Sequence, residues 1–128
     1  PKRLVEFGLL SASTEENGRR RRTYTITESG RKELVAWLAE PTNEQMQVRD
    51  IGELKLFFGE FAQPQDLLAL ARTQIVQHRE RINTYEGMQS RFGNRTDIAD
   101  RMVPLRLGLE LEHAALKFWE EFERERNG

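Results

Sequence analysis

The second half of the chain carries two long stretches whose apolar residues recur at intervals of three and four, with one short break between them. The first runs from about Gln65 to Phe92. Leu68, Ala71, Ile75, His78, Ile82, Tyr85, Gln89 and Phe92 mark one side of it. That spacing is a coiled-coil-like helical seam, with His78 and Gln89 as polar interruptions. Gly93-Asn94-Arg95-Thr96 breaks the pattern, and a second helix is expected from about Asp97 to Arg126. This helix has two apolar stripes. Met102, Leu105, Leu109, Leu116 and Trp119 form one; Leu107, Leu111, Ala114, Phe118 and Phe122 form the other. A helix with two apolar sides must bury both. One stripe packs on its own domain, and the other asks for a further partner, most simply a second copy of the chain. Leu105, Leu109, Leu116, Trp119 and Phe122 are the expected dimerisation residues.

The front half reads differently. Leu4, Val5 and Phe7 are apolar and Gly8 is a plausible left-handed helix stop. "LLSASTEE" reads as a strand, with Leu10, Ala12 and Thr14 on one face. Asn17-Gly18 is a strong two-residue hairpin signal, because a type I′ turn needs positive φ at both central residues. "RRTYTIT" is the return strand, and its Tyr24 and Ile26 are the expected core contacts. Thr27 is the expected N-cap of a helix whose apolar side is Leu34, Val35, Trp37 and Leu38 and which Pro41 ends. Residues 42–48 read as a polar linker. "RDIGELKLFFGEF" follows as a helix with Leu54, Phe57, Phe58 and Phe61 on one face, ended or bent at Gly59. Pro64 fits the first turn of the long helix after it. The domain division expected is therefore residues 1–41 and residues 42–128.

Four arginines in a row, Arg19 to Arg22, sit on the hairpin. Net charge over the 128 residues is −1, which alone says nothing about nucleic acid. Its distribution says more. Residues 1–41 hold eight Lys/Arg and six Asp/Glu, a balance of +2, and residues 42–128 hold twelve and fifteen, a balance of −3. Charged residues at 32% against 38% hydrophobic suit a helix-rich protein with much surface per residue. With no cysteine there is no disulfide framework, no Cys-based zinc site and no thiol nucleophile. No apolar run approaches a membrane span, and a cytoplasmic location without membrane attachment is expected. Pro1 is followed at once by what reads as a helix already under way, so helices are expected to precede it.

Glu110 and His113 have the spacing of a di-iron motif, but that site needs a second Glu-x-x-His, and Ile75 stands three residues before His78, the only other histidine. No metal and no cofactor is expected. No Ser, Thr or Lys has a base beside it, and no Gly-rich loop joins a strand to a helix. An enzyme is not expected.

Helix end, strand, Asn-Gly turn, strand and helix make the back half of a winged helix-turn-helix domain. "PKRLVEFGLL", "NGRRRRTYTITESGRKEL" and "LKLFFGEF" together resemble the PadR family of bacterial transcriptional regulators. There the recognition helix ends in Lys-Arg-Leu before Gly-Leu, and a basic wing leads into Tyr-x-Ile-Thr-x-x-Gly, here Tyr24 to Gly30. The Thr-x-x-Gly element is common to many winged helices; its combination with Leu54–Gly59 and a two-helix tail is more specific. The resemblance covers nearly the whole chain. It implies that the family's first helices and most of its recognition helix lie before Pro1.

A wing lies along the DNA backbone, so its arginines neutralise phosphates and set register. The expected DNA-contacting residues are Lys2, Arg3, Arg19, Arg20, Arg21 and Arg22. The resemblance further implies a homodimer on a palindromic double-stranded operator, repression, and a small aromatic effector, with Trp119 and Phe118 as candidates for lining its pocket. The expected fold is mainly α with a small β-hairpin wing: a partial winged helix-turn-helix followed by a long-helix dimerisation domain. The competing reading is a protein-interaction module that uses the basic hairpin and long helices without DNA.

Overall fold

A computed structural model describes residues 1–14 and 21–128. The elements run α1 (Lys2–Glu6), β1 (Leu10–Thr14), β2 (Arg22–Ile26), α2 (Glu28–Ala39), α3 (Ile51–Phe57), α4 (Pro64–Phe92) and α5 (Ala99–Asn127), with 3-10 turns at Gly59–Phe61 and Thr96–Ile98. The chain forms two compact units, Pro1–Gln47 and Val48–Gly128. The fold is mainly α with one two-stranded hairpin, as the sequence implies.

In the first unit β1 and β2 pair antiparallel, from Leu10 opposite Ile26 to Thr14 opposite Arg22. Asn17-Gly18 lies outside the described residues. Gly8 ends α1 at φ 75, the left-handed conformation that glycine adopts without a Cβ penalty. Thr27 joins three elements. Its backbone N–H donates to the Leu9 carbonyl at 3.1 Å and its hydroxyl to the Gly8 carbonyl at 2.6 Å, while the same hydroxyl accepts from the Gly30 N–H at 3.0 Å. Thr27 is therefore both the N-cap of α2 and the tie between helix and hairpin. Gly30 is buried because α2 crosses the chain at Leu9. A Cβ there would stand 2.1 Å from the Leu9 carbonyl oxygen. Tyr24 is half-buried. Ile26 and the apolar residues of α2, up to Trp37 at 69%, remain exposed in this unit.

In the second unit Asp50, not singled out from the sequence, caps α3 by accepting from the Gly52 N–H at 2.9 Å. Helix α3 stops at Phe57, short of the helix expected to reach Phe61. Phe58 leaves helical geometry at φ −98 and ψ 17, and Gly59 opens the 3-10 turn. Pro64 starts α4, where its missing N–H costs nothing. Helices α4 and α5 pair antiparallel, since Arg72 meets Glu123, Arg79 meets Glu120 and Arg81 meets Glu112. Their core is Ala71, Ile75 and Trp119, with Leu56, Leu70, Leu116 and Phe122 packed around it. At the N-terminal end of the α4 seam Leu67 is buried and Leu68 only half-buried, while Gln89 is exposed. Gly108 lets the Tyr85 ring approach the α5 backbone, 3.4 Å from where a Cβ would stand. The turn between the helices is clasped by Arg95, whose Nε donates to Asp97 Oδ1 at 3.1 Å. That guanidinium holds the Asp97 carboxyl below its ordinary value of 3.8.

Candidate functional site

The basic residues of the first unit are placed by the Thr27 tie. With β1 and β2 locked in register and α1 ended at Gly8, the exposed face of the hairpin lies against α1. Lys2, Val5 and Glu6 from the helix and Ala12, Arg22 and Tyr24 from the strands line one concavity of about 280 Å³. Residues far apart in sequence thus present two cations, Lys2 and Arg22, beside a half-buried tyrosine. Lys2, Arg3, Arg21 and Arg22 are exposed. Arg3 stands in the last turn of α1, where a cation also complements the helix dipole. Arg19 and Arg20 lie outside the described residues. An exposed cationic edge with an aromatic at its base neutralises a polyanion at little desolvation cost.

The tail residues are divided between two sides of α5. Leu109 and Trp119 are buried against α4, Trp119 at 3% exposure; Leu105, Leu116 and Phe122 are partly buried beside them. These five residues share the side that faces α4 of the same chain. Phe118 points away from it, half-exposed, edge-on to Trp119 at 5.3 Å and stacked on Phe122 at 6.1 Å. Trp119 is enclosed by the helix pair. Two open apolar concavities lie elsewhere. One of about 820 Å³ is lined by Val48, Ile51, Leu54, Leu56 and Phe57 together with Arg49, Asp50 and Glu53, and one of about 480 Å³ by Leu54, Phe58, Phe61, Leu67 and Leu70 with Lys55 and Asp66. Neither is lined by Trp119 or Phe118.

Glu112 was not singled out from the sequence. It is 9% exposed, on the inner side of α5, and accepts from His78 Nδ1 and from Arg81 at 3.2 Å. A buried carboxylate is tolerated only when so paired. The sequence does carry its signal: Glu112 falls at helical spacing between Leu109 and Leu116, on the apolar stripe itself. His78, expected as a polar member of the seam, is its partner, and the far nitrogen Nε2 is buried with no partner among the described residues. Among those residues no group of three or more His, Cys, Asp or Glu is arranged to hold a metal, and no helix is long and apolar enough to cross a membrane.

A family model described as "Virulence activator alpha C-term" matches residues 48–125. Comparison with curated protein sequences gives no match. Several solved structures superpose on nearly the whole chain. Bacillus subtilis PadR in complex with operator DNA shares 22% identity at TM-score 0.81, over 98% of this chain and 74% of that one. The same protein has been solved with p-coumaric acid, at 19% identity and TM-score 0.79, over 99% and 72%. The PadR-like regulator BC1756 of Bacillus cereus shares 15% at TM-score 0.82, over 98% and 72%. The Vibrio cholerae virulence activator AphA shares 21% at TM-score 0.69, over 98% and 73%.

Proposed function

From the premise that the chain belongs to the virulence activator alpha C-terminal family and has the PadR-type winged-helix fold, we propose that it is a dimeric, DNA-binding transcriptional regulator. The observation that carries this reading is the shared concavity of Lys2 and Arg22 on an exposed basic hairpin. In this reading the wing lies along the sugar-phosphate backbone of double-stranded DNA. Arg19 to Arg22 take phosphates there, and Lys2 and Arg3 take them from the neighbouring helix end. B. subtilis PadR, which shares the fold, has been solved on operator DNA. Two copies related by a twofold axis fit a palindromic operator, because protein symmetry and half-site symmetry must match. The helical second unit sets the distance between the two wings.

We further propose repression released by a small aromatic effector. The solved p-coumaric acid complex of B. subtilis PadR motivates it, and the apolar groove of Leu54, Phe58, Phe61, Leu67 and Leu70 is of suitable size for a phenolic ring. An effector that binds one helical arrangement better than another shifts the wing spacing and weakens both half-sites together. Titration of the protein with p-coumarate, read by isothermal titration calorimetry, tests this part. A saturable change supports it, and a flat titration removes the effector while leaving the DNA reading in place.

The DNA reading is tested by fluorescence anisotropy on the protein's own upstream region over a salt series. Each phosphate contact contributes roughly −0.9 to the slope of log K against log salt. Changing Arg21 and Arg22 to alanine removes up to four contacts per dimer, so the slope should become shallower by up to roughly 3.6. An unchanged slope, or no binding to any duplex by the unaltered protein, would defeat the proposal.

A further inference from the structure

We propose that the His78–Glu112 pair is a register latch, which holds α4 and α5 of one chain at a single axial offset among several that their apolar seams alone would accept. Both seams carry a polar residue at the same place in the spacing. His78 stands three residues after Ile75 and four before Ile82, and Glu112 stands three after Leu109 and four before Leu116. With His78 opposite Glu112 in the antiparallel pair, Ala71 falls opposite Trp119, its neighbour in the core. A slide of α5 by three residues brings Ile82 opposite Leu105 and Ala71 opposite Leu116. A slide by four the other way brings Ile75 opposite Trp119. These slides measure roughly 4.5 and 6 Å, about one helical turn. Apolar residues meet apolar residues at each offset, so the spacing does not choose among them.

The polar pair does choose. At either slipped offset the Glu112 carboxylate lies opposite Ile75 or Ile82, and His78 lies opposite Leu109 or Leu116. None of these four side chains offers a hydrogen bond, and Ile75, Ile82 and Leu109 are buried. A buried carboxylate without its partner is strongly disfavoured. The arginines discriminate less. Arg72, Arg79 and Arg81 are long, with more than half of each side chain exposed, and can follow a carboxylate through water. The imidazole is short and enclosed, and cannot follow. Stability does not account for its presence. Its Nε2 is buried with no partner among the described residues, a loss that leucine at position 78 would not incur. A pair that costs stability while excluding alternatives acts as a specificity device. Its use rests on the regulator reading above, in which the helical unit sets the distance between the wings. DNA half-sites lie a fixed repeat apart, and a one-turn ratchet between packed helices is a step large enough to miss them.

The chain has no cysteine, so engineered thiols report without background, and Ala69 on α4 and Arg106 on α5 are exposed. Ala69→Cys and Arg106→Cys are made together, spin-labelled and measured by double electron–electron resonance. Unlabelled protein in excess ensures that each distance lies within one chain. Counted from the level of His78 and Glu112, the two positions are roughly 23 Å apart along the axis. The labelled chain should give a single distance. His78→Leu with Glu112→Leu should keep or raise the urea midpoint while adding distances displaced by about 4–6 Å. The exchanged pair, His78→Glu with Glu112→His, should restore the single distance. His78→Ile with Ile82→His moves the imidazole by four residues and should lengthen the distance by roughly 6 Å. A single parental distance in either the leucine or the moved-imidazole variant overturns the latch, because packing, with the Tyr85 ring over Gly108, then fixes the offset unaided. Should the leucine variant fail to fold, the moved imidazole decides alone. Several distances in the labelled chain with His78 and Glu112 intact also overturn it. A latched chain that binds no duplex keeps the latch and removes the regulator reading; a chain without the latch that binds its operator does the reverse.

Discussion

Gly30→Ala puts the Thr27 tie to a sharp test, because two opposite effects compete at one atom. In an unconstrained helix alanine is better than glycine by up to about 1 kcal/mol. At Gly30, three residues past the cap, the added methyl would stand 2.1 Å from the Leu9 carbonyl oxygen and 2.9 Å from Ile26 Cγ1. An ordinary carbon–oxygen contact is about 3.3 Å or longer, so helix and hairpin must part by more than about 1 Å. The Leu9 carbonyl cannot simply turn aside. It accepts from the Thr27 N–H at 3.1 Å, and the Leu9 N–H is itself tied to the Leu4 carbonyl at 2.9 Å. Overpacking costs about 1–3 kcal/mol and the disturbed hydrogen bond about 1 kcal/mol more. After the helix-propensity gain, the net loss is about 1–3 kcal/mol. The unit spans Pro1–Gln47, whose whole stability at the usual per-residue value is about 2–7 kcal/mol. Native-state hydrogen exchange should therefore rise roughly 5- to 150-fold over β1, β2 and the first turns of α2, while α4 and α5 keep the exchange of the parent. Exchange that is unchanged or slower in Gly30→Ala would refute the close approach and the account of the Thr-x-x-Gly element built on it.

The same substitution at Gly87, mid-α4, meets nothing within 4 Å, so Gly87→Ala should raise stability by about 0.5–1 kcal/mol in urea unfolding. Glu112→Ala leaves His78 and Arg81 facing an uncompensated half-buried site and should cost about 2–4 kcal/mol, whereas replacing His78 and Glu112 together by leucine should be near neutral or stabilising; the two urea midpoints decide it. Trp119→Ala empties the α4–α5 core and should cost about 3–5 kcal/mol by the same assay. The Asp97 carboxyl is held below 3.8 by Arg95, so the clasp on the α4–α5 turn is present above that value and is lost as pH falls through the lower folded value; Arg95→Ala should move the carboxyl back up toward 3.8 in an NMR titration.

The elements that the sequence made legible are those whose signal is local and repeated. Helices α4 and α5 announce themselves by apolar spacing sustained over many turns, and Pro64 and the Gly93–Thr96 break punctuate them. The α2 cap was visible because a threonine stands just before an acidic first turn. The PadR likeness carried the winged architecture for the same reason, through short motifs with fixed spacing. The end of α3 was less legible. Phe57, Phe58 and Phe61 fit a helical face whether or not the helix continues, and periodicity cannot register the backbone turn at Phe58. The structural reason for Gly30 was invisible as well, since the atom it must avoid belongs to Leu9, twenty-one positions earlier.

Long-range pairings on α5 show why its two stripes needed a structure to be told apart. Both are apolar, both recur at helical spacing, and periodicity is blind to which one faces α4. What distinguishes them is charge. The inner stripe contains Glu112, a residue that a packed helix pair accepts only with partners directly opposite, and α4 supplies His78 and Arg81 at the matching height. Arg72 and Arg79 then meet Glu123 and Glu120 along the edge of the same face. A stripe met by His78, Arg81, Arg72 and Arg79 of its neighbour is specific to that neighbour. The outer stripe carries no such demand at its centre, only apolar side chains with an alternating charge order along one flank. The inner face is therefore matched to α4, while Leu107, Leu111 and Phe118 of the outer stripe stay exposed within the unit.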